Sequence, residues 1–194
     1  MQRLILASTS SYKRALFERL NLPFEACDPA VDERARAGES PRALAARLAR
    51  AKAAAASASA VAIGADQVPA LGDVVLRKPG DHETALAQLL ACSHRTVVFY
   101  TAVAVADAGA GRVWETVDVT EVDFAALSRE RVERYLRLER PYDCAGGFKA
   151  EGLGIVLFDA IRSNDPTGLI GLPLIWLAAT LRQAGFDPLA PTAT

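Results

Sequence analysis

An α/β fold is what this sequence predicts, on three observations. Short apolar runs such as Leu4–Ala7 and Val61–Ile63 alternate with stretches of helical spacing. Two long β-rich runs, Thr96–Val105 and Val113–Phe124, are joined by an Asp107–Gly111 turn and read as an antiparallel hairpin. In a chain of 194 residues, 51% are hydrophobic, which is ample for the core of one ordinary domain. That domain is expected over residues 1–187, with 188–194 as a frayed tail.

Leu4-Ile5-Leu6-Ala7 is the first strand, too short for a signal segment or a membrane span. Ser8-Thr9-Ser10-Ser11 follows, then a helix from Tyr12 to about Leu20 with Tyr12, Leu16 and Leu20 on one face. The hydroxyl cluster supplies N-caps, and a helix N-terminus favours an anion. Lys13 and Arg14 lie in the first turn, where cations are unfavourable for the helix. That local conflict points to an anionic ligand. The alternative is a capped helix with solvated cations.

Pro23–Cys27 gives a short strand, and Asp28, Asp32 and Glu33 bring three carboxylates into the loop after it. Taken alone, this is a solvated acidic loop. Ser40 caps a helix with Pro41 at its first position. Leu44, Leu48, Ala51 and Ala55 are its expected buried stripe. Lys52 lies on or beside that stripe, and either snorkels to water or points into a cleft.

The stretch Ala60–Pro69 organises the rest. The apolar run Val61-Ala62-Ile63 leads to the small Gly64-Ala65, a lone carboxylate at Asp66, then Gln67 and Val68, with Pro69 expected to stop the strand. Open α/β proteins bind ligands at the carboxyl ends of such strands. Gly64 and Ala65 let something approach the backbone closely. A carboxylate there can hold a metal or take a proton from water. It can equally be a turn Asp that satisfies nearby N–H groups.

Val74-Val75-Leu76 hairpins back through Gly72-Asp73, and Arg77-Lys78-Pro79-Gly80 turns the chain with two adjacent cations. Asp81 caps a helix with Leu86, Leu89 and Leu90 inward. In the second long run the parity changes between Val119 and Val122, so a bulge is expected there. Ser128 caps a helix ending near Leu138. Pro141–Phe158 carries four glycines around Lys149 and Glu151, and Ile155–Phe158 reads as a strand. Gly147 and Gly152 have P-loop spacing, but Leu153-Gly154 stands where Lys-Ser/Thr is required, and no dinucleotide fingerprint fits either. Ser163–Pro166 is a turn, Gly171-Leu172-Pro173 opens the last helix and Gly185 closes it.

The net charge of −1 gives no overall basic field for nucleic acid, so an anionic ligand must be met by local cations. The three cysteines, Cys27, Cys92 and Cys144, are scattered, which suits a reducing compartment and argues against disulfides or a cysteine zinc site. His82 and His94 are too few for a histidine metal site or a triad. A metal here would be a hard, oxygen-ligated cation, Mg²⁺ or Mn²⁺. A soluble, cytoplasmic protein is expected, with a small-molecule partner and neither nucleic acid nor membrane.

Ile5-Leu6-Ala7-Ser8-Thr9-Ser10, Val31-Asp32-Glu33, Leu48-Ala49 with Lys52-Ala53, Gly64-Ala65-Asp66-Gln67, Lys78-Pro79, Ala145-Gly146-Gly147-Phe148-Lys149 and Gly171-Leu172-Pro173-Leu174 occur in this order from residue 4 to about 185. The ordered set resembles that of Maf-like nucleotide pyrophosphatases. The resemblance implies an elongated mixed sheet in two lobes around a central cleft, as in inosine triphosphate pyrophosphatases. It implies metal-dependent cleavage of a nucleoside triphosphate between the α and β phosphates. Asp66 would be the general base, and Ser8, Lys13, Arg14, Lys52 and Lys78 would hold the triphosphate. Glu33 would join Asp66 on a divalent cation. Such chemistry needs positioning and charge neutralisation more than covalent help.

Tyr12, Gln67 and Glu151 resemble the branch acting on 7-methyl-GTP. The branch acting on dTTP and UTP typically has Arg, Thr and Gln, respectively, at those three places. Two departures stand out: Lys13 where many members have arginine, and Arg77 where a glycine usually precedes Lys-Pro. A competing class is a nucleotide-binding regulator of septum formation with little turnover, against which the intact Asp66 and cation set weigh. A homodimer is left open.

Overall fold

The computed structural model describes residues 2–57 and 60–190. The strands are β1 (Leu4–Ala7), β2 (Glu25–Cys27), β3 (Val61–Leu71), β4 (Val74–Val75), β5 (Thr96–Asp107), β6 (Arg112–Phe124) and β7 (Phe158–Arg162). The helices are α1 (Ser11–Glu18), α2 (Pro41–Ala56), α3 (His82–Cys92), α4 (Arg129–Glu139) and α5 (Leu174–Gln183). Together the strands form one sheet in the order β2-β1-β3-β5-β6-β7, with β4 added to β3. Both β1 pairings are parallel and all the others antiparallel, so the sheet is mixed.

Register divides the sheet into two faces. Gln67 lies opposite Thr101, Pro69 opposite Phe99, and Phe99 opposite Thr120, so these side chains share one face. Two apolar clusters cover its two ends. One gathers Leu6, Phe17, Ile63, Val105 and Leu177 beneath α1 and α5. The other gathers Leu86, Phe99, Val122, Phe124 and Leu136 beneath α3 and α4. Between these two lobes runs a polar seam that includes Gln67, Thr101 and Thr120. On the opposite face α2 lays Leu44, Leu48, Ala49 and Ala53 over Val68, Ala102 and Ala104.

The glycine-rich segment is anchored by Phe148. Its ring meets those of Phe99, Phe124 and Phe158 edge to face, with centroids 5.4, 5.3 and 5.0 Å away. Gly146 (φ 81°) and Gly147 (φ 75°) take the backbone through a left-handed turn just before it.

Several local expectations are corrected. Pro69 does not stop β3, which continues to Leu71. Its carbonyl accepts from the Leu76 N–H at 2.8 Å, so the backbone of Pro69 faces the β4 side and the missing N–H costs no bond to β5. The β5–β6 register is unbroken, and the one shift falls at Asp123/Phe124, against β7. The apparent parity change near Val119–Val122 has another cause: Val117 packs towards α2, while Val122 packs beneath α3 and α4. Ile155–Phe158 is not a strand. A 3-10 segment spans Leu153–Leu157, and β7 begins at Phe158. Gly154 there is pressed onto the Lys149 backbone, where a Cβ would sit 2.4 Å from the carbonyl oxygen.

The fourth correction concerns α2. Its buried face comprises Pro41, Leu44, Ala45, Leu48, Ala49, Lys52 and Ala53, while Ala55 is exposed. At 3.6 residues per turn this face is centred near Lys52, rotated by roughly 80° from the leucine-based stripe. Small side chains explain the rotation, because the row Ala45, Ala49 and Ala53 lets the helix close on β3. At Gly64 a Cβ would lie 2.1 Å from the Ala49 oxygen and 2.3 Å from the Ala53 nitrogen. The first helix also ends two residues early, at Glu18, with Leu20 packing from the turn after it. Of the expected tail, Pro188–Ala190 forms a turn, and residues 191–194 lie outside the described residues.

Gly64→Ala therefore drives a methyl into backbone that has nowhere to move. A loss of about 3 kcal/mol or more is expected in denaturant unfolding. Gly72→Ala is the control, strained at φ 62° but with nothing within 4 Å, and is expected to cost far less. Equal effects would show that α2 does not rest on Gly64.

Candidate active site

The cleft opens where β3 loses a neighbour. β1 ends at Ala7, opposite Gly64, and β4 joins only at Ala70. Between them, from Ala65 to Val68, the edge of β3 has no neighbouring strand, and the Lys13 ammonium donates to the Ala65 carbonyl at 3.1 Å. A cavity of about 910 Å³ lies along this edge, reaching from Ser8–Lys13 and Glu33 past Lys52, Asp66 and Gln67 to Arg77, Lys78, Cys144 and Glu151.

Asp66 projects towards α2, on the same face as Gly64 and Val68. There the Lys52 ammonium lies 2.7 Å from Asp66 Oδ1 and 2.6 Å from Glu33 Oε1. Lys52 is 7% exposed and Asp66 9%. Of the two alternatives for Lys52, the structure takes the cleft. Burial pulls its pKa down, but Asp66 and Glu33 together outweigh burial and leave it raised. Among the described residues no group of three or more His, Cys, Asp or Glu forms a metal-binding array. The pair Asp66 and Glu33 does fit a hard cation that takes one or two protein carboxylates and completes its shell with phosphate and water.

The β1–α1 turn forms one wall. Ser10 caps α1, its hydroxyl accepting from the Lys13 N–H at 3.4 Å, and Ser8 Oγ accepts from the Ser10 N–H at 3.2 Å. Among the described residues no ion pair holds Lys13, Arg77 or Lys78, so three cations face the cavity without a fixed carboxylate partner. Burial pulls the Lys13 ammonium down to about 8; Asp66 and Glu33 hold it up while Lys52 and Lys78 push it further down. Arg14 is not in the cleft: its side chain is 63% exposed and pairs with Glu18 at 3.1 Å along its own helix.

The other end of the cleft holds the remaining predicted residues. Tyr12 lines the cavity rather than the core, and its hydroxyl oxygen lies 3.7 Å from the Cys144 thiol. Burial, then Cys144, raises the Tyr12 pKa, and burial pushes the Cys144 thiol up to about 11. Both are neutral near pH 7. Gln67 points to the face opposite Asp66. Its amide nitrogen lies within hydrogen-bond distance of the Gly168 and Leu169 carbonyls, at 3.0 and 2.9 Å, and of Thr101 Oγ1, at 3.0 Å, so both of its N–H groups are engaged. With the nitrogen committed, its oxygen is the group left to accept from a ligand. Glu151 stands exposed at the rim beside Leu169 and Ile170. Sequence reasoning missed Thr101, which fixes Gln67; its signal was a small hydroxyl directly before the apolar run Ala102–Ala106.

The match to the Maf-like protein family model spans residues 3–184, and the chain belongs to that family. A protein of Xanthomonas axonopodis pv. citri named 7-methyl-GTP pyrophosphatase is 57% identical over 190 residues, covering 96% of this chain and 99% of its own. A protein of the same name from Bordetella avium is 50% identical over 191 residues, covering 96% and 95%. Among solved structures, a HAM1 protein from Coxiella burnetii shares 18% identity at a TM-score of 0.44, over 66% of this chain and 75% of that one. Among the described residues no helix is long and apolar enough to cross a membrane.

The lowered Lys13 pKa gives a pH dependence. Affinity for a nucleoside triphosphate is expected to weaken above about pH 8, as the free protein loses this charge, by up to about tenfold per unit. Lys13→Arg should abolish that fall, because arginine stays charged. Stability moves the other way. The charged ammonium is a penalty to the folded state below about 8, relieved as the pH rises towards the unfolded value of 10.5. An identical affinity profile in Lys13→Arg would assign the fall to another group.

Proposed function

We propose that this chain is a nucleoside triphosphate pyrophosphatase acting on 7-methyl-GTP and releasing 7-methyl-GMP and pyrophosphate. One observation carries the reading: nearly buried Asp66 faces Lys52 and Glu33 in the same cleft that Lys13, Arg77 and Lys78 line. The names of the Xanthomonas and Bordetella relatives support the substrate.

In this reading the triphosphate lies along Ser8, Lys13, Lys78 and the additional Arg77, with Lys52 beneath it. Water adds to the α-phosphorus while Asp66 takes its proton. The bond from that phosphorus to the α–β bridging oxygen breaks, and its electron pair leaves on pyrophosphate. In the nucleotide-free protein Asp66 Oδ1 is bonded to Lys52, which leaves Oδ2 without a partner. Asp66 and Glu33 would hold a divalent cation, Mg²⁺ or Mn²⁺, which supplies charge neutralisation at the phosphate oxygens. Arg14 would contribute only after leaving Glu18.

Guanine presents two adjacent donors, N1–H and the N2 amine. Glu151 and the Gln67 carbonyl oxygen are the matching acceptors. Methylation at N7 puts a delocalised positive charge on the ring, which Glu151 and the Tyr12 face favour, the aromatic face by roughly 0.5–2 kcal/mol. The free cysteines suit a reducing cytoplasm, where the enzyme would clear modified nucleotides from the pool.

Pyrophosphate release from a nucleotide panel tests the reading, with 7-methyl-GTP expected ahead of GTP and both ahead of dTTP and UTP. Asp66→Asn should lower kcat by about 10²–10⁴ while nucleotide binding stays within a few-fold. Retention of more than about a tenth of kcat would remove Asp66 from the base role. Glu151→Gln should cut the kcat/KM preference for 7-methyl-GTP over dTTP and UTP by about tenfold. An unchanged preference would mean that Glu151 does not read the base.

A further inference from the structure

The segment carrying Glu33 has no helix or strand between Asp28 and Glu39. Arg47 fastens its far end, donating to Glu39 at 2.6 Å and to the Arg34 carbonyl at 2.9 Å. Glu33 itself is 62% exposed, so packing does not fix it, and its tie to the cleft is the Lys52 ammonium. That ammonium therefore sits between the two carboxylates that best fit a divalent cation. It is nearly buried and rises from the centre of the buried face of α2, so it cannot relax into open water.

We propose that Lys52 is a place-holding cation: in the nucleotide-free protein its ammonium supplies the positive charge between Glu33 and Asp66, and so makes metal binding depend on nucleotide. The proposal rests on the reading of Asp66 and Glu33 as the metal-holding pair. A metal arriving alone must evict an ammonium from two charge-assisted bonds and leave it buried without a counter-charge. A triphosphate changes that balance, because it offers the ammonium anionic oxygens in the same cleft. Lys52 then exchanges carboxylate for phosphate, and the carboxylates become available together. Lys52 is thus a positioning residue twice over. It draws the Glu33 loop onto β3 before substrate binds, and it couples the release of that pair to the arrival of phosphate.

The test is Mn²⁺ binding, read from the free-ion EPR signal, with no turnover involved. Without nucleotide, wild-type protein should bind Mn²⁺ weakly, and Lys52→Met should bind it about tenfold or more tightly. Adding Glu33→Gln to Lys52→Met should erase the gain. A second arm uses only wild-type protein, in case Lys52→Met does not fold. A non-hydrolysable α,β-imido nucleotide should tighten Mn²⁺ retention by about tenfold or more beyond the analogue's own affinity for the ion. Equal, tight binding by wild-type and Lys52→Met without nucleotide would overturn the place-holder and leave the metal pair standing. A gain that survives Glu33→Gln would put the ion elsewhere and also overturn it. Absence of Mn²⁺ from every protein, with or without analogue, would remove the metal reading and the proposal together.

Discussion

The contact of Gly64 with the backbone of α2 is the constraint on which the cleft depends. A helix bearing Ala45, Ala49 and Ala53 on its inner face can lie on a glycine in β3 more closely than one bearing leucines. That closeness puts Lys52, at the centre of the same face, within 2.7 Å of Asp66, two residues beyond Gly64 on the same side of the strand. Removing one partner from a buried pair of this kind typically costs about 3–5 kcal/mol, so each charge depends on the other to remain in place. Glu33 then follows Lys52 rather than its own loop.

Strand parity distributes the two halves of the task. Asp66 and Gln67 are neighbours in sequence and project to opposite faces of β3, so one ligand can touch both only at a bare edge. The gap between the end of β1 and the start of β4 provides that edge. In the proposed reading, phosphate chemistry falls on the α2 side, with Asp66, Lys52 and Glu33. Base reading, in the same reading, falls on the other, with Gln67, Tyr12 and Glu151, along the seam between the two apolar lobes. The seam stays polar because Thr101, Gln67 and the Gly168 carbonyl satisfy one another there.

Much of this was legible in the sequence, and the exceptions have physical reasons. Capping serines at Ser10 and Ser40, the hairpin glycine Gly72 and the closing Gly185 mark their elements because each solves a local backbone problem. Asp66 stood out because a lone carboxylate after two small residues ends an apolar run. Three features were not legible, because each is decided by packing across the sheet. They are the rotation of α2, the continuation of β3 through Pro69 and the 3-10 geometry of Leu153–Leu157. The ion pair of Lys52 with both carboxylates was hidden for the same reason, since Glu33, Lys52 and Asp66 come from three separate segments. Arg14 shows the converse: its place in the motif suits a phosphate, yet in this structure the nearby Glu18 holds it.

In the proposed function this cleft breaks a triphosphate between its first and second phosphates. The most direct measurement is ³¹P NMR of the products formed from 7-methyl-GTP by the wild-type protein. Pyrophosphate and 7-methyl-GMP are expected in equal amounts from the first turnovers. Orthophosphate with 7-methyl-GDP would contradict it, because attack would then fall on the γ-phosphorus.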